Sequence, residues 1–516
     1  MNSQIKEKVK LLVFFLLYVV LIVLAARLAL KGLDEDVTKS SITILSIVLI
    51  FLCSSSKTFR FIFICSFLVA FYAPVGFQYG GPTFQAVSSF LATDIKESLK
   101  FLLLIPIKNY LKAAAIPLSL FVAYKLANYA QIRPWRNKTL TFLSFFIMLV
   151  LSKPTAFFSI LDNSLNEINK QKEELNKLIT HDSWGGDTVY KGVAKDYVLV
   201  IGESVRRDYM HTYGYPLSNT PFIESCPAVI VDGLSSAGSY TIDSLRLMLT
   251  LSDKRNRQPD FSRNIIDLAN KAGIETFWFS NQGYIGSHDT PISAIGNRSK
   301  HVVFLNKSSF DTVHYSDMSL LPVLIENVQR PSHDARLFVL HLMGSHPDAC
   351  ERIKGMKDPY QHNDGSKEYI ACYASSIRYT DEFLGKIYAF MNDRKQLTGR
   401  PFSILYFADH GLAHIEKDGK VILSNLALSK RHFDVPLFKI DSEDTKPRFI
   451  HSKKSGLSFT EGLAHWLMIT NPQLSEYDLF DGHSDQFDYG LSDKIKAIKH
   501  PLDPAIDISE GLIKSE

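Results

Sequence analysis

Apolar and polar positions divide the chain into two regimes. Leu, Ile, Val, Phe and Ala dominate the first 155 residues, with apolar runs at 11–30, 41–55, 60–77, 113–130 and 139–152. The first, LLVFFLLYVVLIVLAARLAL, has the roughly 20 residues that a bilayer-crossing helix needs. A cleavable leader is disfavoured there, because no small-residue cleavage site follows and further apolar runs come after. The pattern therefore predicts five membrane spans in residues 1–155. The stretch LKFLLLIPIKNYLK before the fourth run also suits an interfacial helix.

Beyond the last run the periodicity changes. Leu165, Ile168, Leu175, Leu178 and Ile179 fall on one helical face and charges on the other, predicting an amphipathic linker helix within residues 156–194. HDSWGGDTVYKG then breaks the pattern and marks a domain boundary. From residue 195 to 516 strand-like runs alternate with helical ones. The strands predicted are YVLVIG, ETFWFS (275–280), RLFVLHLM (336–343), FSILYFA (402–408) and VPLFKI (435–440); helices are predicted over 261–273 and 369–393. Such alternation argues for an α/β domain with a largely parallel central sheet.

Charge adds an orientation. Lys6, Lys8 and Lys10 precede the first span, whereas Asp34, Glu35 and Asp36 follow it. Lys57 and Arg60, then Arg133, Arg136 and Lys138, mark later cytoplasmic loops. Under the positive-inside rule the N-terminus is cytoplasmic, and five spans place the α/β domain on the outer side. A net charge of +4 leaves no nucleic-acid footprint. Five cysteines include Cys226, Cys350 and Cys372 in the outer domain, where one disulfide, such as Cys350 with Cys372, fits an oxidising compartment.

The chemistry sits where the strands end. Ligands of open parallel sheets bind beyond the carboxyl ends of the strands. YVLVIG runs into Glu203, RLFVLHLMGS into His346, and FSILYFA into Asp409 and His410. Two carboxylates and two imidazoles on one rim suit zinc, which takes oxygen and nitrogen ligands. Singly, each has an ordinary reading: Glu203 can open a helix and His346 can be a loop residue. The hydroxyl-rich segment SSAGSYTIDSLRLMLT (235–250) offers a nucleophile, or merely a helix cap, at Ser239, Thr241 or Ser244. Arg206 and Arg207, beside Glu203, read equally as structural ion-pair partners and as phosphate contacts.

These motifs resemble a known family. GESVRRDYMHTYGYPLSNTPF, GSYTIDSLRLMLT, FWFSNQGYIGSHDTPIS, HLMGSH, YTDEFLG, YFADHG and RHFDVPLF are similar, in this order, to segments of bacterial phosphoethanolamine transferases. Those are inner-membrane enzymes of the alkaline phosphatase/sulfatase superfamily, and the branch that modifies lipopolysaccharide core or periplasmic glucans looks nearest. The resemblance implies an alkaline-phosphatase-like catalytic domain in the periplasm. It implies Thr241 as nucleophile and metal ligand, with Glu203, Asp409 and His410 completing the metal set. His346 and His432 are implied beside the transferred phosphate. It further implies one or two zinc ions, phosphatidylethanolamine as donor, and lipid A, lipopolysaccharide core or glucan as acceptor.

The chain also departs from the family. Ala237 and Leu247 stand where cysteines commonly flank the nucleophile, and Leu412 replaces an acidic residue after Asp409-His410-Gly411. These changes bear on a second metal and on the acceptor. No C/S-x-P-x-R segment for sulfate-ester hydrolysis is present. A phosphoglycerol transferase of the same superfamily and a catalytically inactive membrane scaffold are the alternative expectations.

Overall fold

The computed structural model describes residues 2–33, 37–53, 56–79, 105–131, 182–282, 291–305, 316–417, 420–425, 427–498 and 502–513, with isolated positions between 102 and 146. The chain divides into two compact units, Met1–Asn169 and Lys170–Glu516.

The first unit is helical. Its principal helices are α1 (Asn2–Gly32), α2 (Lys39–Leu52), α3 (Ser56–Tyr79) and α4 (Ile107–Tyr129). Three of them, α1, α3 and α4, are long and apolar enough to cross a membrane; α2 is shorter. Of the five predicted spans, the first, third and fourth coincide with these three, and 139–152 lies largely outside the described residues. Residues 107–112 form the start of α4 rather than a separate interfacial helix. The amphipathic segment 163–180 lies outside the described residues. Phe71, Leu68 and Ile64 point outward, while Tyr18, Ile22, Ala26, Leu52, Phe59 and Ala123 pack inward. Small residues let the helices approach closely, as membrane packing favours. A Cβ on Gly76 would lie 1.8 Å from the Gly32 carbonyl oxygen, so α1 and α3 can meet there only through glycine.

The second unit is built on a sheet. In chain order its strands are β1 (Val189–Tyr190), β2 (Asp196–Gly202), β3 (Val229–Ser235), β4 (Glu275–Ser280), β5 (His301–Phe304), β6 (Arg336–His341), β7 (Phe402–Ala408), β8 (Ala413–Lys417), β9 (Lys420–Ser424), β10 (Leu437–Asp441), β11 (Arg448–Ser455) and β12 (Ile469–Thr470). Eight of them form one sheet in the order β11-β3-β10-β7-β2-β6-β4-β5. Only β10 runs against its neighbours, so the sheet is largely parallel. Every residue of β2, β6 and β7 is buried, which explains why their sequences are mostly apolar. Apart from the sheet, β8 and β9 form an antiparallel hairpin and β1 pairs with β12. Two helices matter for the site: α5 (Thr241–Met248) and the long α6 (Glu368–Thr398).

The amino ends of the central strands are clamped by charge. Arg336 opens β6 and grips Asp196, at the start of β2, through two hydrogen bonds of 2.8 and 2.7 Å. Arg400 adds a third at 2.7 Å. Asp196 and Arg336 are both buried, so losing one partner leaves the other's charge without compensation. Asp196→Ala should therefore destabilise the domain by about 3–5 kcal/mol, read as a lowered urea midpoint of the purified protein.

Candidate functional site

Glu203, His346 and the Asp409–His410 pair all follow carboxyl ends of central strands. Gly202 of β2 pairs with Ala408 of β7, which carries Glu203 and Asp409 out of the sheet side by side. The turn at Glu203 is tight. Ser204 has φ +60°, a left-handed conformation that non-glycine residues adopt sparingly and that recurs at functional sites. It is held there from three sides: its N–H donates to Asp409 Oδ1 at 3.0 Å, its hydroxyl to Glu203 Oε1 at 2.6 Å, and its carbonyl accepts from Tyr373 of α6 at 2.7 Å. Across from it, Gly344 has φ +47°, and a Cβ there would meet the Glu203 carbonyl at 2.9 Å. The β6 loop thus packs against Glu203 only because position 344 is glycine.

Glu203, Asp409 and His410 are fully buried, and their ligand atoms lie within 4.8 Å of one another. His410 Nε2 is 3.4 Å from Glu203 Oε1 and 3.5 Å from Asp409 Oδ2. Its Nδ1 lies 2.7 Å from the Gly411 carbonyl. That contact requires the proton on Nδ1 and points Nε2 at the carboxylates. Asp409 Oδ2 is buried without a hydrogen-bond partner among the described residues.

Thr241, the first residue of α5, completes the group. Its hydroxyl donates to Glu203 Oε2 at 3.0 Å and lies 3.3 Å from His410 Nε2. The other hydroxyls of the segment point elsewhere. Ser244 donates to the Asp409 carbonyl at 2.6 Å, and Ser239 Oγ is buried without a partner among the described residues. No side-chain hydrogen bond caps α5, so the helix-cap reading of these hydroxyls is not what the structure displays.

Electrostatics favour a cation. Burial pushes the Glu203 carboxyl up, but the hydrogen bond and charge of His410, with His346 and Ser204, outweigh it and hold it well below the ordinary carboxylate range. Burial and the neighbouring Glu203 charge push Asp409 up. His410 is raised: the charges of Asp409 and Glu203 and the bond to Glu203 overcome the effect of burial. Two carboxylates thus face one imidazole in a water-poor pocket, a shortage of positive charge. The orphaned Asp409 Oδ2, an imidazole nitrogen and a hydroxyl form a donor set that fits a divalent ion such as zinc.

His432 lies beside this group. Its ring is nearly parallel to that of His410, with centroids 6.5 Å apart, and its buried Nε2 has no hydrogen-bond partner among the described residues. Burial, then the His410 charge, lowers it to about 3, so it stays neutral. His346 is half-buried on the β6 loop, its Nδ1 2.6 Å from the Pro347 carbonyl. That loop is tied to α6 twice, by Ser376 donating to Ser345 at 2.8 Å and by the Cys350–Cys372 disulfide. Gln282 lies within the segment FWFSNQGYIGSHDTPIS but is not among the expected site residues; its Nε2 donates to Glu203 Oε2 at 2.8 Å.

Both arginines beside Glu203 are structural. Arg206 is fully buried; it donates to Asp208 at 2.8 and 2.9 Å, to Asp503 Oδ2 at 3.3 Å and to the Leu412 carbonyl at 3.3 Å. Arg207 pairs with Asp232 at 3.0 Å. Leu412, in the place of the expected acidic residue, is fully buried in the apolar core.

Residues 195–470 match the sulfatase family. The chain belongs to that family, in the branch whose members are phosphoethanolamine transferases. It is 40% identical over 399 residues to a Haemophilus influenzae protein provisionally named phosphoethanolamine transferase, covering 76% of this chain and 81% of that one. It is 32% identical over 441 residues to the phosphoethanolamine transferase OpgE of Escherichia coli, covering 80% of each. The integral membrane lipooligosaccharide phosphoethanolamine transferase A of Neisseria meningitidis shares the fold, with a TM-score of 0.58 at 15% identity over 90% of this chain and 96% of that one.

Two outcomes are expected. Purified protein should bind zinc, and Glu203→Ala, Asp409→Ala and His410→Ala should each lower the zinc content measured by elemental analysis. The second concerns Asp503. Burial pushes its carboxyl up, but the His414 hydrogen bond and Arg206 charge prevail and hold it at about 2 against an ordinary 3.8. A carboxyl held low stabilises the fold above about pH 4, and that contribution is lost as pH falls through about 2. Asp503→Asn should therefore lower the urea midpoint at about pH 6, with the gap to wild type closing as the medium is acidified through that window.

Proposed function

We propose that this protein transfers phosphoethanolamine from phosphatidylethanolamine to a saccharide or lipid A acceptor of the cell envelope, through a phosphorylated Thr241. The observation that carries the reading is the Thr241 hydroxyl, set between Glu203 Oε2 and His410 Nε2 at the mouth of a buried carboxylate–imidazole cluster. The names of the relatives supply the transferred group.

Glu203, Asp409, His410 and Thr241 hold the metal in this reading. A bound zinc ion would ease loss of the threonine proton and offset charge on the phosphoryl oxygens. Thr241 lies at the amino end of α5, where the helix dipole favours an anion such as the phosphoryl group. Its oxygen forms a bond to phosphorus as the bond to the diacylglycerol oxygen breaks. The proton that leaves Thr241 ends on diacylglycerol, which departs as an alcohol. The acceptor hydroxyl then attacks the same phosphorus, and Thr241 leaves and regains a proton. In this reading His346 and His432 flank the phosphoryl group; neutral His432 offers its unpartnered Nε2 as a hydrogen-bond partner to a phosphoryl oxygen or an attacking hydroxyl.

Five spans, a cytoplasmic N-terminus and a periplasmic catalytic domain complete the reading. The apolar helices and the Cys350–Cys372 disulfide support it, since disulfides persist in oxidising compartments. Membrane attachment keeps a water-facing active site within reach of a lipid donor.

The test is to incubate the protein with phosphatidylethanolamine labelled in its ethanolamine. Wild type should carry the labelled headgroup on Thr241, located by mass spectrometry, and Thr241→Ala should lose both adduct and transfer. Label on another hydroxyl, or incorporation from a glycerol-headgroup lipid instead, would refute the assignment.

A further inference from the structure

Gln282 is the second residue past β4, and β6 separates β4 from β2, the strand that delivers Glu203. Its Nε2 donates to Glu203 Oε2 at 2.8 Å and to the Leu342 carbonyl at 2.9 Å. Both partners are acceptors, so the amide must present its NH2 group to them, and chemistry fixes its orientation. The carboxylate it grips is fully buried and shared: Oε1 accepts from Ser204, and Oε2 accepts from both Thr241 and Gln282.

The platform behind Gln282 is itself fixed. Asp317 is a buried carboxylate group that accepts from the backbone N–H of Met343 and of Gly344, each at 2.8 Å, and from Asn281 at 2.7 Å. Asn281 and Gln282 together therefore lock the end of β4 to the β6 loop. Gly344 of that loop abuts the Glu203 backbone. Glu203 is thus held through its main chain by the β6 loop and through its carboxylate by Gln282.

We infer that Gln282 is a positioning residue, which sets the Glu203 carboxylate for metal binding and for the Thr241 hydroxyl; this rests on the zinc and threonine reading above. A carboxylate torsion is broad and roughly two-fold, so burial alone does not choose which oxygen faces the metal. A hydrogen bond from a neighbouring donor makes that choice and fixes the orientation of the ligand. The need is greatest mid-reaction. Once the Thr241 oxygen bears phosphorus it has no proton to give Oε2, and the Gln282 bond then keeps that oxygen in place.

The experiment titrates full-length, detergent-purified protein with zinc against a chromogenic chelator. Gln282→Leu should weaken zinc binding roughly 10- to 100-fold. It should lower kcat for headgroup release while KM stays within about twofold, and leave the melting temperature in chelator near wild type. In a Glu203→Ala background the same change should cost nothing further, because the residue acts through Glu203. Equal losses in both backgrounds, or wild-type zinc affinity in Gln282→Leu alongside a loss in Glu203→Ala, would overturn the inference and leave the metal site standing. Wild-type affinity in Glu203→Ala would instead overturn the site reading itself. Gln282→Asn, whose amide is one methylene too short to reach Glu203, carries the same comparison if the leucine variant does not fold.

Discussion

The parallel register between β2 and β7 governs the rim of this domain. Gly202 lies opposite Ala408, so the residues that leave the sheet next are both carboxylates, Glu203 and Asp409. Asp409 N–H donates to the Gly202 carbonyl at 3.0 Å, which continues the ladder one step into the turn. A slip of one residue would turn each side chain to the opposite face and dissolve the cluster. The register is in turn secured at the far end, where Arg400, two residues before β7, grips Asp196 at the start of β2 at 2.7 Å and the Asp196 N–H donates to the Pro401 carbonyl at 3.1 Å. The charged clamp and the candidate metal set are therefore opposite ends of one alignment.

Holding two carboxylates in a buried pocket is unfavourable unless each oxygen finds a partner. The surrounding structure is organised around that cost. Ser204 adopts a left-handed backbone to bring donors to both acids. Tyr373 and Ser376 reach from α6 to fix Ser204 and Ser345. The disulfide fastens the chain beyond His346 to the same helix. One long helix thereby steadies two of the three turns that carry candidate site residues. The third, at Asp409, is steadied by backbone contacts to His432 and by Ser244 of α5.

What could be read from the sequence follows from burial. Strands β2, β4, β6, β7 and β10 announce themselves because the buried stretch of each is mostly apolar. Strand β11, RFIHSKKS, lies at the sheet edge with most of its first half exposed, so nothing compels an apolar pattern. In β3 the tail DGLS hides the strand in polar residues, and β5 has only four. At the rim, Glu203, His346, Asp409 and His410 were legible as polar groups following apolar runs. Spacing alone could not choose Thr241 from Ser239 and Ser244, because the choice depends on which hydroxyl of α5 turns toward Glu203. His432 came from the family resemblance alone. Gln282 sits in a segment that the resemblance covers, but its role was not legible, since its partner lies 79 residues away in sequence and meets it only in the folded sheet.

The partners of Arg206 have a consequence for how the domain comes into being. Asp208 is two residues away, but Asp503 is 297 residues further along, and Ala505 and Ile506 hydrogen-bond to Asp208 and Tyr209. The turn that follows Glu203 is therefore roofed by some of the last-made segments of the domain. During synthesis Arg206 leaves the ribosome long before Asp503 does. A nascent chain interrupted before residue 503 would contain strands β2 to β11 yet lack these partners of the turn after Glu203.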